Sequence, residues 1–183
     1  MDSRACFTML KMLRRRGYVV PDAELSQNTV NEVYRHASKP RTLMVYLRLN
    51  EARVGVGTVR TMAANAHKVS ASDILLVCPG LTHSAEAELE ELRRDGITIS
   101  IFKPSQLLYD IWEHREQPAH RILEPEEVEA LPHELHRLPC MVCTDAMCRY
   151  LGARIGDVVE ITRITPTVGK NIVYRRVVPN AEL

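Results

Sequence analysis

The stretch 144–178, TDAMCRYLGARIGDVVEITRITPTVGKNIVYRRVV, contains the strongest local structural signals in this 183-residue chain. Asp145 is suited to cap a short helix, because a carboxylate accepts hydrogen bonds from the free N–H groups of a first helical turn. Gly152 fits the left-handed conformation that commonly ends a helix. The runs 158–163 and 172–178 are rich in β-branched residues and predict two strands joined by a turn. Together these signals predict a small unit that mixes helix and strand.

The composition changes just before this unit. The polar, proline-containing stretch that begins at Glu113, EHREQPAHR, is typical of a linker. Glu124-Pro125 then predicts a helix start, and Pro132 keeps that helix short. We therefore predict a linker at residues 113–119 and a small α+β domain at residues 120–183.

Residues 1–112 alternate between strand and helix patterns. Residues 42–49 alternate in polarity like a half-buried strand, and residues 74–78 form a continuous apolar run typical of an interior strand. Such alternation predicts an α/β domain with a central sheet and flanking helices. Other patterns predict a helix with a buried face of Val30, Val33, Tyr34 and Ala37, a short strand at residues 54–56, a helix capped by Thr82 or Ser84, and a last helix from Pro104 through Trp112.

Composition limits the classes of function. The formal net charge is only +1, whereas a free-standing DNA-binding protein usually carries a strong basic excess to neutralise phosphates. We found no apolar run of about 20 residues and no signal-peptide pattern, which favours a reducing compartment. The five cysteines are therefore interpreted as buried free thiols rather than as disulfides.

The sequence contains two groups of residues with catalytic or metal-binding chemistry. His133, His136, Cys140 and Cys143 have the chemistry of zinc ligands, but residues three apart in an extended segment point to opposite faces. Buried thiols and surface histidines are the favoured interpretation. A nuclease built from Glu51, Asp73 and Lys103 is disfavoured, because no spacing brings these residues together. No catalytic residue, metal or cofactor is predicted.

Residues 145–175 also form a longer pattern, D-x3-R-Y-x-G-x3-G-x-V-V-x-I-x-R-x3-T-x-G-x4-Y-R. His120 with its RIL neighbours and the PEEV stretch at 125–128 precede it. This combination closely resembles the assembly domain of RNA polymerase subunit 5, a domain that has an archaeal counterpart. The first half resembles that family more loosely, through residues 12–18, 54–62 and 80–85. Since the archaeal form lacks this half, the eukaryotic type, including viral copies, fits better.

The resemblance implies a non-catalytic subunit of DNA-directed RNA polymerase. Its N-terminal domain would be the jaw domain, which projects toward downstream duplex DNA and offers a platform for transcription factors. Its C-terminal domain would dock on the largest polymerase subunit. The implied location is the nucleus, or a viral factory or virion if the chain is viral. The alternative is a stand-alone DNA-binding transcription regulator that reuses this fold.

The resemblance and the residue chemistry together predict two groups of functional residues. The expected subunit-interface residues are His120, Arg149, Tyr150, Arg163, Tyr174 and Arg175. The expected DNA-proximal residues are Thr82, His83 and Ser84, with non-specific contacts to the phosphate backbone. Two alternatives stay open: Tyr174 packs in the core of its own domain, and Thr82 or Ser84 only caps a helix.

The sequence also departs from the family pattern. His83 stands where the family's turn has Pro, and Ala146 stands where Pro follows the capping Asp145. The stretch between Glu127 and Leu138 is shorter than usual and contains Pro132. We expect these changes to alter loop contacts rather than the fold, and the compact form hints at a large DNA virus.

Overall fold

The computed structural model describes residues 3–20, 31–132, 134–165 and 169–179. The chain forms two compact units, Met1–Tyr109 and Asp110–Leu183, each with its own sheet. The division falls at Asp110, so residues 110–119 belong to the second unit. None of the described helices is both long enough and apolar enough to cross a bilayer.

The first unit is a four-stranded sheet between helices. Its elements are α1 (Ser3–Arg15), β1 (Asn31–Arg35), β2 (Thr42–Leu47), α2 (Val56–Lys68), β3 (Asp73–Val77), α3 (His83–Arg94) and β4 (Thr98–Phe102). The strand order is β1-β2-β3-β4, with β1 antiparallel to β2 and the other neighbours parallel. This arrangement confirms the predicted mixture of helix and sheet.

Both faces of the central strands of the first unit are buried. On one face, Tyr46 and Leu76 pack with Met62 of α2 and Leu89 of α3. On the other face, Arg16, directly after α1, donates to the hydroxyl of Ser100, which places the end of α1 on that side. The strand predicted at residues 42–49 is present as β2, but the expectation that it is half-buried was wrong, because both of its faces are covered.

Three further element predictions were wrong, each for an identifiable reason. The predicted helix over Val33 and Tyr34 is strand β1, where pairing with β2 overrides the helical spacing; its earlier part, including Val30, lies outside the described residues. The predicted strand at 54–56 is a single bridge from Val54 to Leu81, followed directly by α2. The predicted helix after Pro104 is two separate 3-10 turns, Pro104–Leu107 and Ile111–Glu113.

The second unit is a four-stranded sheet with two short helices. Its elements are β5 (Ala119–Ile122), α4 (Pro125–Glu129), β6 (Cys140–Val142), α5 (Ala146–Leu151), β7 (Val158–Thr165) and β8 (Gly169–Val178). The strand order is β5-β7-β8-β6, with β6 parallel to β8 and the other neighbours antiparallel. A core of Leu123, Leu138 and Val158 forms against one face of this sheet.

The local signals around α5 act as predicted. The Asp145 carboxylate accepts from the backbone N–H of Met147 at 2.7 Å and caps the helix. Gly152 ends the helix in the left-handed conformation, with φ of 68°. Strand β7 then pairs along its whole length with residues 169–176 of β8, so the stretch that begins at Asp145 folds as one local unit.

Candidate interaction surfaces

His120 lies inside the second unit rather than on its surface. It sits on β5 opposite Ile161 of β7 and is 6% exposed. Burial lowers its pKa below the ordinary value of 6.5. The imidazole is therefore neutral at pH 7, and its Nδ1–H donates to the Pro118 carbonyl oxygen at 2.7 Å. In this chain His120 fixes the start of β5.

Tyr150 is also held within the second unit. Its ring is 2% exposed and stacks on Trp112, with centroids 6.0 Å apart. Its hydroxyl donates to Asp110 Oδ1 at 2.8 Å, and the same oxygen accepts from the backbone N–H of Trp112 at 3.1 Å. These contacts tie α5 to the first residues of the unit, a role that the sequence pattern did not reveal.

Arg149 and Arg163 occupy different settings. Arg149 is half-buried, and its Nε donates to the Thr144 carbonyl oxygen at 3.1 Å, which closes the loop before α5. Arg163 is exposed on β7 opposite Asn171. Of these two predicted interface residues, Arg163 offers the more accessible cation.

Tyr174 and Arg175 are neighbours on β8 and therefore point to opposite faces of the sheet. Tyr174 is half-buried against Leu138 and Val158, so the core-packing alternative describes part of its environment. Arg175 is half-buried, and its guanidinium reaches the Cys140 carbonyl oxygen at 3.5 Å. The buried Nε atoms of Arg175 and Arg176 have no hydrogen-bond partner among the described residues.

A charged cluster that the sequence analysis missed lies on the same face as Tyr174. Arg121 on β5 makes a two-point contact with the Glu160 carboxylate, at 3.0 and 2.9 Å, and contacts Glu127 of α4 at 2.8 Å. Glu127 Oε2 also accepts from the backbone N–H of Glu124. These hydrogen bonds raise the pKa of Arg121 and lower the pKa of Glu127. The cross-strand register from Arg121 to Glu160 would have identified the pair, but register requires the fold.

The predicted DNA-proximal residues form the turn that begins α3. Thr82 caps the helix by accepting from the backbone N–H of Ala85 at 3.3 Å, as predicted for a cap at this position. The backbone of Thr82 also donates to the Val54 carbonyl oxygen at 3.1 Å, which anchors the turn to the preceding loop. His83 and Ser84 are exposed at the first two helical positions. The structure thus brings these three residues together at the end of β3.

The residues of the disfavoured catalytic and metal sites are scattered. Asp73 is buried at the start of β3, whereas Glu51 and Lys103 follow the ends of β2 and β4; in a parallel arrangement these are opposite edges of the sheet. His133 lies outside the described residues. Within the described ranges, no group of three or more His, Cys, Asp or Glu side chains could hold a metal ion.

The prediction that the five cysteines are buried free thiols is confirmed only in part. Cys78 and Cys148 are buried, whereas Cys6, Cys140 and Cys143 are half-buried, and all five are free. Burial, with smaller contributions from nearby Asp145, Cys143 and Asp157, raises the pKa of Cys148 to about 12. Its thiol is therefore protonated and unreactive at neutral pH.

Comparisons with known proteins define the class of protein to which these two units belong. The family model described as RNA polymerase Rpb5, C-terminal domain, matches residues 109–177, which nearly coincide with the described second unit. Subunit RPABC1 of DNA-directed RNA polymerases I, II and III from Caenorhabditis briggsae is 28% identical, over 93% of this chain and 92% of its own length.

Archaeal relatives are more similar but shorter. DNA-directed RNA polymerase subunit Rpo5 from Thermococcus onnurineus is 42% identical over 38% of this chain and 90% of its own length. The corresponding subunit from Sulfolobus acidocaldarius is 37% identical over 38% of this chain and 87% of its own length. The chain belongs to the RNA polymerase subunit 5 family.

Proposed function

We propose that this chain is a non-catalytic subunit of a DNA-directed RNA polymerase. The observation that carries the proposal is the extent of the similarity, since the nematode subunit aligns with 93% of this chain and includes both units. As an accessory subunit it would assemble with other polymerase subunits rather than perform the reaction. The names of the eukaryotic relatives support action in the nucleus, and a viral factory or virion is the location if the chain is viral.

In this proposal the two units have different roles. The second unit docks on the largest polymerase subunit, with Tyr174 and Arg175 as anchors and Arg149 and Arg163 as further contacts. The guanidinium of Arg175 supports this role, because the side chain is only half-buried and leaves part of its charge accessible to a partner. His120 and Tyr150 contribute indirectly, by holding the unit that presents these side chains.

The first unit acts as the jaw domain beside downstream duplex DNA and provides a platform for transcription factors. Its exposed turn at His83 and Ser84 lies at the first positions of α3, where free N–H groups and the helix dipole favour a phosphate. Contacts of this kind go to the DNA backbone and carry no sequence preference. The alternative of a stand-alone transcription regulator gains no support from the named relatives.

Affinity purification tests this function. A tagged chain, expressed with the polymerase subunits of its own source, is expected to recover the two largest catalytic subunits. The double substitution Tyr174→Ala with Arg175→Ala should reduce their recovery about tenfold or more, because two interface anchors are lost. A matched control is Tyr109→Ala with Arg115→Ala, since both side chains are highly exposed. If the tagged wild-type chain recovers no polymerase subunit, the proposed function is wrong.

A further inference from the structure

Strand β8 is much longer than β6, its neighbour on one side. It runs from Gly169 to Val178 and pairs with β7 over residues 169–176, whereas β6 pairs only with its last three residues, from Arg176 onward. The backbone N–H of Arg176 donates to the Pro139 carbonyl oxygen at 3.0 Å, just before β6 begins. On this side, residues 169–175 have no neighbouring strand within the described parts of the chain.

The hydrogen-bond pattern identifies which groups point into this open edge. Val177 bonds toward β7, donating to the Asp157 carbonyl oxygen and accepting from the Gly156 N–H. Alternate residues of a strand direct their backbone groups to opposite sides. The N–H and C=O groups of Lys170, Ile172 and Tyr174 therefore point away from β7. The three residues make no backbone hydrogen bond to any described residue on that side.

The surface beside the open edge is apolar and positively charged. Ile172 is 41% exposed and Ile164 on β7 is 83% exposed, and both share a face with Lys170. Beyond Glu160, the stretch 161–179 contains Arg163, Lys170, Arg175 and Arg176 and no acidic residue. An edge of this kind is unusual in a protein that acts alone, because unpaired strand edges invite association.

We propose that a larger polymerase subunit docks on this chain by adding an extended, carboxylate-bearing segment as a fifth strand at the open edge of β8. Backbone hydrogen bonds to Lys170, Ile172 and Tyr174 supply the attachment. Apolar side chains of the added strand cover Ile172 and Ile164, and its carboxylates lie near Lys170 and Arg175. This proposal rests on the proposed function and specifies the docking mode of the second unit.

Charge favours this occupant over a second copy of the same chain. Pairing two β8 edges would bring two stretches together that each carry four basic and no acidic side chains. Like charges across a strand pair or an interface are destabilising. An acidic strand of a different subunit would instead be attracted by this basic stretch, with Lys170 and Arg175 the cations on the open part of β8.

Hydrogen exchange provides a direct test at single amides. In the free full-length chain, the amides of Lys170, Ile172 and Tyr174 should exchange rapidly, while those of Asn171, Val173 and Arg175 are protected by β7. In the purified polymerase complex, exchange of the first three amides should slow at least about a hundredfold. If they stay as fast in the complex as in the free chain, the edge is not the docking site.

Two substitutions at Ile172 distinguish the contribution of its backbone N–H from the contribution of its side chain. Ile172→Pro removes one outward N–H and leaves the bonds to β7 in place, since proline is tolerated where a strand's N–H faces outward. Ile172→Ala removes a similar apolar contact but keeps the N–H. In competition with the wild-type chain, incorporation of Ile172→Pro should fall about tenfold or more, and that of Ile172→Ala less.

The outcomes of this competition are distinguishable. Equal incorporation of Ile172→Pro and wild-type chain would overturn the added-strand proposal while leaving the polymerase role intact. Failure of the wild-type chain itself would instead contradict the proposed function. Lys170→Glu, which keeps the backbone, should also weaken incorporation; unchanged incorporation would argue against an acidic partner. A concentration-dependent dimer of the free chain that Ile172→Pro abolishes would point to self-pairing and overturn the proposal.

Discussion

At the residue scale, His120 is a buried titratable group of the second unit. Its ring is enclosed between β5 and its neighbours, and burial is the main reason that its pKa lies below the ordinary value. The Pro118 carbonyl and the Asp145 carboxylate favour its protonated form, whereas Arg163 and Arg175 oppose it. Protonation therefore places a cation in a buried, partly basic site.

We expect the free energy of unfolding to fall as the pH is lowered from about 7.5 to about 5.5. The unfolded imidazole takes up a proton near its ordinary pKa of about 6.5, before the folded one does, so acid favours the unfolded state. The stabilisation that comes from the neutral His120 is fully present above the unfolded imidazole's pKa, and it is progressively lost as the pH falls below that value. Urea titrations at several pH values measure this slope.

The substitution His120→Gln should flatten that pH dependence, because the buried titrating group is gone. His136→Gln is the matched control, since His136 is highly exposed, and it should keep the wild-type slope. A wild-type slope in His120→Gln would mean that another group causes the acid sensitivity.

At the scale of single elements, sequence patterns were reliable wherever the determining contacts are local. The cap at Asp145 and the stop at Gly152 depend on neighbours within a few residues, and the two strands that follow pair as one hairpin of adjacent segments. The helix predicted over β1 was wrong. The spacing of its apolar residues suits a helix, but pairing with β2 holds the segment extended. In the same way, the contact from Tyr150 to Asp110 joins residues 40 apart, so no local pattern indicates it.

Helix α5 depends on its cap, since it has only 6 residues. Asp145→Ala leaves the N–H of Met147 without its partner and should lower the free energy of unfolding by about 1 kcal/mol. Asp145→Asn keeps a side-chain oxygen at the cap and should retain most of that stability. Chemical denaturation compares the two variants, and equal losses would show that the negative charge matters more than the hydrogen bond.

At the scale of the whole molecule, the chain is built from two units that are each complete in sheet and core. The archaeal relatives match only 38% of this chain, yet the match includes 87–90% of their own length. A unit of similar size therefore exists as a separate protein in this family. The sequence indicated this arrangement, because the stronger family motifs fall within residues 120–175 and the polar stretch from Glu113 precedes them.

We expect a fragment of residues 110–183 to fold cooperatively by itself, with a free energy of unfolding on the order of 3 kcal/mol, as is usual for a single small core. A fragment of residues 120–183 lacks Asp110 and Trp112, both of which contact Tyr150, and should be less stable. Thermal unfolding followed by circular dichroism compares them. Equal midpoints would mean that residues 110–119 add nothing to the fold.

The stack of Trp112 on Tyr150 also supplies a built-in optical probe. Trp112 is the single tryptophan of the chain, and it belongs to the second unit. Its emission should therefore follow the opening of that unit alone, whereas far-ultraviolet dichroism follows both. Midpoints that differ between the two signals would reveal that the halves melt separately, without any label having been attached.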